Sequence, residues 1–437
     1  MDKIKQTAFT FDDVLIVPRQ AQIPQGEISL KTKLTSTGII LNAPIMSAPM
    51  ENVTEARMAI TIARQGGIGI IHKHLSIEEQ AAEVDKVKRS EFGVIKCPIS
   101  LNPNKYVYEA EALMKKYRIS GIPVTDMDTL VGIITNRDIR FESDHNKKIY
   151  EVMTRENLIT APVGTTFETA KAILDQHKIE KLPLVDESGD LKGLITTKDI
   201  IKAIEYPNSA KDADGSLLVG AAVDIGDEML ERITVLVANG VDVIALDTPH
   251  GHTQAMAEAI SAVKEAFPSL PIIAGNVATA QGAEALIKAG ANAIRVGVGT
   301  ESVSNTGVRT GAGVPQLTAI MDCAKATRAY GIPLIADGGI KVSGDILKAI
   351  VAGADVVMIG GMLAEGRMDH KHAARDLLIK IVANIREGLH YCGAATVEEA
   401  ILHGAFNHVT RAGYTESLPH GIERRRMARG KHIKRYY

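Results

Sequence analysis

Short apolar runs rich in valine and isoleucine recur along most of this chain, each closed by Gly, Pro, Asp or Asn and each followed by a stretch with helical spacing. That alternation predicts parallel strands joined by helices, because strands covered on both faces read as near-continuous apolar runs. Eight such runs stand at 43–49, 67–72, 217–223, 242–248, 271–277, 293–299, 333–339 and 356–361. Eight is the number that closes an α/β TIM (β/α)8 barrel, whose chemistry lies on the loops after the strand C-termini. A doubly wound open sheet is the alternative arrangement of the same elements.

Two interruptions of the rhythm matter. Successive runs begin mostly 22 to 29 residues apart, but the sixth and seventh begin 40 apart, leaving a loop over 300–316 that carries Ser302, Ser304, Asn305 and Thr306 among glycines 297, 299, 307, 311 and 313. Hydroxyls beside glycines are common in ordinary turns, so the loop alone is a weak signal. Between the second and third runs lies an insertion that repeats internally. Gly121-Ile122-Pro123-Val124 is echoed by Lys181-Leu182-Pro183-Leu184, and the segment from Gly132 to Ile139 by that from Gly193 to Ile200, so one motif occurs twice. The predicted organisation is a barrel formed by 1–92 and 207–437, with a tandem domain over 93–206.

The tandem resembles a pair of CBS domains, modules that bind adenine or guanine nucleotides. The resemblance implies that Thr135 with Asp138 and Thr196 with Asp199 hold a ribose; the same residues also suit simple helix caps, and the two roles are compatible.

Composition narrows the class. With 45% hydrophobic residues, 437 residues can bury a large core, and no apolar stretch reaches the length of a membrane span. The polar N-terminus over 1–10 does not suit a signal peptide, so a cytoplasmic location is expected. Cys97, Cys323 and Cys392 are too scattered for a disulfide framework or a zinc cluster. A net charge of -2 gives no global field for nucleic acid. The basic run from Arg424 to Arg435 reads as a solvated tail, with an anion or partner site as its alternative.

Seven motifs then occur in one order: Thr10-Phe11-Asp12-Asp13-Val14-Leu15, Met46-Ser47-Ala48-Pro49-Met50, the segment from Gly66 to Lys73, Asp247-Thr248-Pro249-His250-Gly251-His252, Ala274-Gly275-Asn276-Val277-Ala278-Thr279, Ile335-Ala336-Asp337-Gly338-Gly339-Ile340 and Tyr391-Cys392-Gly393-Ala394. In this the chain strongly resembles the inosine monophosphate dehydrogenase and guanosine monophosphate reductase family. The resemblance implies a purine ribonucleotide (IMP, XMP or GMP) and NAD as ligands. Asp337 would accept both ribose hydroxyls, as a carboxylate suits a cis-diol. Ser302, Gly339, Gly360 and Gly361 would cradle the phosphate, and Ser47 and Met50 would line the nucleotide pocket. Asp247, Thr248 and Asn276 would face the nicotinamide side; for Asp247 a helix N-cap is the plainer alternative. Gly297 and Gly299 would offer carbonyls to a monovalent cation such as K+, completed by Glu416 and Ser417 from a neighbouring copy, which implies a homotetramer.

The chain departs from this family where the chemistry is done. The family's cysteine attacks C2 of the purine, hydride passes between that carbon and the nicotinamide, and water or ammonia resolves the covalent intermediate. Ser304 stands in the cysteine's place, and an alcohol needs a dedicated base where a thiol is partly ionised. Thr300-Glu301 replaces the usual Pro-Gly, while Thr306, two beyond the nucleophile position, is retained. His250 and His252 accompany a cysteine in the family and so do not compensate. Cys323 reads as core. Family dehydrogenases carry a long flap after the eighth strand; here only 362–391 separates Gly361 from Cys392, and most of that reads as one helix over 370–388. Three readings follow: an oxidoreductase with impaired or altered catalysis, by family an IMP dehydrogenase before a GMP reductase; a non-catalytic nucleotide-binding regulator; and a different reaction using Glu301.

Overall fold

The computed structural model describes residues 4, 7–91, 95, 98–117, 119–300, 306–366 and 373–418. By contacts the chain divides into two units: one holds 1–90, 208–212 and 217–437, the other 91–207 and 213–216.

In the first unit all eight expected strands form: β1 (Ile45–Ser47), β2 (Ile68–Ile71), β3 (Val219–Val223), β4 (Val243–Asp247), β5 (Ile272–Val277), β6 (Ala293–Val296), β7 (Leu334–Asp337) and β8 (Val356–Ile359). They pair in parallel, in chain order, and β8 returns to β1, so the sheet is a closed TIM barrel rather than an open one. Period-2 alternation explains the two cores. Met46, Ile68, Ile70, Val243, Ala245, Ile273, Ala293, Ile335, Val356 and Met358 fill the interior, while Ile45, Ile71, Ile244, Ile272, Ile294 and Val357 join the larger core. That larger core includes residues of the surrounding helices.

Helices follow the strands with local capping: Ser76 and Glu79 form a reciprocal box before Ile77–Lys88, and Thr253 caps Gln254–Ala266. After β8 come a short helix, Gly361–Gly366, and a long one, Ala373–Tyr391. The long helix continues three residues beyond its expected end, and 370–372 at its expected start lie outside the described residues. The loop between β6 and β7 contains a five-residue helix, Thr306–Thr310, that periodicity did not indicate.

Lys88, the last residue of its helix, clasps the place where the chain leaves this unit to the place where it returns. Its Nζ donates to Asp212 Oδ2 at 2.7 Å and to both oxygens of Asp242 at 2.8 and 2.9 Å, and Asp242 also accepts the Val219 amide at 2.8 Å.

The second unit consists of two similar halves with separate small cores, one around Val107, Ile122, Val124 and Ile134, the other around Leu174, Leu182, Leu184 and Ile195. Each half presents a helix, an antiparallel strand pair and a closing helix: Val107–Tyr117, Gly121–Asp126 with Thr129–Thr135 and Asn136–Ile139; then Phe167–His177, Lys181–Val185 with Leu191–Thr196 and Thr197–Glu205. The tips of the two strand pairs bond to each other, Leu191 N to Asp128 O at 2.9 Å and Leu130 N to Gly189 O at 3.1 Å.

Candidate functional site

Strand register places Asp247 and Arg295 in one inward-facing layer near the C-terminal end of the barrel, with Asp337 two residues beyond Ile335, the register partner of Arg295 on β7. Asp247 on β4 lies opposite Gly275 on β5, which lies opposite Arg295 on β6. Gly275 lets the arginine cross. A Cβ there would stand 2.7 Å from Arg295 Cβ and 2.5 Å from its carbonyl oxygen, closer than real contacts allow. Over that gap Arg295 Nη1 reaches Asp247 Oδ1 at 2.5 Å, while Nε and Nη2 donate to Asp337 Oδ2 on β7 at 2.9 and 2.8 Å. One guanidinium therefore holds both carboxylates, a use of its planar fork that lysine cannot copy.

The surrounding groups complete the arrangement. Asn276 Nδ2 donates to Asp337 Oδ2 at 2.9 Å and to the Gly297 carbonyl at 2.8 Å. Every hydrogen bond to the Asp337 carboxylate among the described residues goes to Oδ2, so Oδ1 takes none from them. Gln316 Nε2 donates to the Val296 and Asp337 carbonyls at 2.8 and 3.0 Å, and its Oε1 accepts the Thr300 hydroxyl at 3.0 Å, tying both ends of the β6–β7 loop together. At Gly297 a Cβ would fall 1.8 Å from the Asp337 carbonyl oxygen, so no side chain fits there. Lys73, after β2, donates to the Asp247 carbonyl at 2.9 Å, lies 3.6 Å from Asp247 Oδ2 and pairs with Asp224. Burial would raise the Asp247 carboxyl, but the charges of Arg295 and Lys73 outweigh it and hold Asp247 below its ordinary value, so it is ionised at neutral pH.

The other expected residues fall into place by element. Ser47 is fully buried and accepts the Thr54 hydroxyl at 2.9 Å. Met50 Sδ would lie 2.9 Å from a Cβ on Gly360, so glycine at 360 gives the methionine its room. Gly361 opens the short helix after β8, and Gly339, with φ of +75°, follows β7. Thr248 N bonds Gly275 O at 3.1 Å and Asn276 N bonds Thr248 O at 2.8 Å, bringing these two together beside Asp247. Asp247 is not a helix cap: Thr253 has that task. Thr306 lies in the helix Thr306–Thr310. Glu416 and Ser417 end a helix, Arg411–Ser417, where the Ser417 hydroxyl donates to the Tyr414 carbonyl at 2.7 Å. In the second unit Thr135 N and Oγ1 both donate to Asp138 Oδ2 at 2.7 Å, and Thr196 Oγ1 donates to Asp199 Oδ2 at 2.5 Å, so both Thr-x-x-Asp elements close on themselves as caps.

Glu301, Ser302, Ser304, Asn305, Cys97 and the basic run lie outside the described residues. His250 and His252 are exposed after β4. Among the described residues no group of His, Cys, Asp or Glu could hold a metal ion, and no helix is long and apolar enough to cross a membrane.

Cys323 and Cys392 are free and buried, and burial pushes their thiols up to about 12 and about 11. Neither supplies the thiolate that position 304 lacks. In a Cys97→Ser variant, iodoacetamide at pH 8 is expected to label neither cysteine in the native protein and both in urea, as read by mass spectrometry; rapid native labelling of Cys323 would return it to candidacy as a nucleophile.

Arg295, Lys73 and Gln316 are the site residues that motif reading passed over. A charged residue inside the otherwise apolar run Ala293–Val296 was the available signal, since such a residue is rarely buried unless paired.

With this geometry in view, comparison with known proteins is informative. The family model described as IMP dehydrogenase / GMP reductase domain matches residues 8–366. Inosine-5'-monophosphate dehydrogenases of Halalkalibacterium halodurans and Bacillus subtilis are 49% and 46% identical, aligned over 97% and 96% of this chain and 97% of each relative. The first alignment runs over 473 positions, more than the 437 residues of this chain, so that relative carries residues this chain lacks. Among solved structures, GMP reductase from Trypanosoma brucei in complex with guanosine 5'-triphosphate is 35% identical with a TM-score of 0.83, covering 93% of this chain and 98% of that one. A variant of the same reductase in complex with guanosine 5'-monophosphate is 33% identical with a TM-score of 0.85, covering 96% and 98%. The chain belongs to the IMP dehydrogenase / GMP reductase family, an oxidoreductase family by descent.

Proposed function

We propose that the barrel binds a purine ribonucleotide beside NAD and that its oxidoreductase chemistry is impaired. The observation that carries the binding half is the Asp337 carboxylate at the end of β7, anchored by Arg295 and Asn276 through Oδ2 while Oδ1 takes no hydrogen bond from a described residue. A preorganised acceptor of this kind suits ribose hydroxyls, and it narrows the diol contact to one oxygen rather than two. The phosphate falls to Ser302, Gly339, Gly360 and Gly361, the base to Ser47 and Met50, and the nicotinamide end of NAD to Asp247, Thr248 and Asn276. NAD, when bound, supplies the hydride acceptor; the protein's share is to fix the two rings against each other and exclude water.

Impairment is supported by two independent losses. Ser304 replaces the nucleophile, and Thr306 beside it cannot substitute, being an alcohol too. The second is a matter of chain length: only 367–372 lie between the helix Gly361–Gly366 and the helix Ala373–Tyr391, too few residues for a flap. These losses favour a second reading, a non-catalytic regulator in which the tandem unit is a CBS pair that senses adenine or guanine nucleotides through Thr135, Asp138, Thr196 and Asp199. A cytoplasmic homotetramer is part of the proposal, with K+ held by the Gly297 and Gly299 carbonyls and by Glu416 and Ser417 of a neighbouring copy. The Gly297 carbonyl already accepts the Asn276 amide, so only its second lone pair is left for the ion.

Calorimetric titration tests the binding half. IMP is expected to bind with a dissociation constant between about 1 µM and 1 mM, the range over which enzymes commonly hold their substrates. Absence of heat with IMP, XMP and GMP at several-millimolar concentrations would remove the reading.

A further inference from the structure

We infer that Arg295 couples the two ligand sites, so that a ribonucleotide at Asp337 and a dinucleotide at Asp247 each tighten the binding of the other. The inference rests on the binding reading above and adds regulation to it.

The argument is geometric. Arg295 is the common partner of Asp247 and Asp337, through Nη1 on one side and Nε with Nη2 on the other, and its side chain is 8% exposed. A guanidinium is a rigid plane, so tilting one carboxylate moves the donor set of the other. Gly275 keeps the path over β5 open, and Lys73 holds Asp247 from its far side, so Asp247 cannot swing away to absorb the shift. Oδ2 is anchored but Oδ1 takes no hydrogen bond from a described residue, so ribose hydroxyls donating to Oδ1 fix the remaining tilt of the carboxylate, and with it the guanidinium and Asp247. The second ligand then meets a carboxylate already ordered and loses less conformational entropy on binding. Linkage makes the effect reciprocal and independent of turnover. A barrel without its nucleophile can thus still respond to the joint presence of both ligands.

The test titrates NAD into the intact protein with and without saturating IMP, and IMP with and without saturating NAD. Each ligand is expected to tighten the other by at least about fivefold, the lower end of ordinary allosteric coupling. Replacing IMP by its 2',3'-dideoxy analogue, which lacks the diol, is expected to leave NAD affinity at its nucleotide-free value. In Arg295→Lys each ligand is expected to bind more weakly, since both carboxylates lose their shared partner, but with the same affinity whether or not the other is present, because one ammonium cannot bridge both carboxylates. Should that variant not fold, the unmodified protein with the two nucleotides decides the matter alone. Binding of IMP and NAD with independent affinities overturns the inference while leaving the binding reading intact. Failure of either to bind removes both, and coupling by the dideoxy analogue as strong as by IMP would also overturn it.

Discussion

Mixed with IMP and NAD, the purified protein is expected to form NADH at least on the order of 10^4-fold more slowly than a cysteine-bearing relative, since removal of an activated nucleophile costs this much or more. The comparison is a steady-state rate followed by NADH absorbance, repeated with GMP and NADPH for the reductive reaction, in which hydride passes to the purine and ammonia leaves. Steady turnover at the relatives' rate with either pair would defeat the reading of impaired catalysis. Ser304→Cys sharpens the result. A thiol at 304 restores the group that attacks C2, so hydride can leave that carbon once per site; resolving the adduct still needs an activated water. With only 367–372 between the two helices after β8, the residues that would activate it have no chain to stand on. The expected trace is a burst of no more than one NADH per site followed by little further change. Full cycling in Ser304→Cys would show that water is activated by residues other than a flap.

The second large effect is expected at Asp337. Replacing it with alanine takes from Arg295 the carboxylate that meets two of its nitrogens and from Asn276 one of its acceptors. Breaking a buried pair by removing one partner costs about 3 kcal/mol or more, because the remaining charge stays desolvated. Asp337→Ala is therefore expected to lower the unfolding midpoint clearly and to weaken IMP binding by at least about 100-fold, the equivalent of about 2.7 kcal/mol. Asp337→Asn separates the two effects: it keeps an acceptor for Arg295 and an uncharged shape, so stability should recover in part while IMP binding stays weak. Tight IMP binding in Asp337→Ala would place the ribose elsewhere.

Much of the barrel was legible because its strands are short β-branched runs with hard stops, and the period of those runs does not depend on which neighbour each strand meets. The wider gap between the sixth and seventh runs was legible as a long loop, but its short helix was not: Thr-Gly-Val-Arg-Thr has neither apolar periodicity nor a strong propensity. The motif residues Asp247, Asn276 and Asp337 stood out as polar residues at strand ends. What joined them did not. Arg295 belongs to a run that reads as apolar, and only the register of β4, β5 and β6, with Gly275 between, turns it into a bridge. Gln316 opens an unremarkable helical stretch, and its task depends on two carbonyls distant in sequence. The Thr-x-x-Asp pairs show the opposite limit. Local sequence read their capping geometry correctly, yet a cap of this kind is complete without any ligand.

The strand order of the barrel has a consequence for how the chain comes off the ribosome. β8 must return to β1, so the barrel cannot close until residues 356–359 have been made. The inserted unit, whose repeated strands all lie within 121–196, is synthesised well before that. Pairing of β2 with β3 joins residues 69–71 to 219–221 across the whole insertion, a long closure for an unfolded chain. In the folded protein the residues flanking that insertion are bonded, Lys88 Nζ to Asp212 Oδ2 at 2.7 Å. By contact order the β2–β3 and β8–β1 pairings are the costly ones to close, whereas each half of the tandem unit is built from contacts local in sequence.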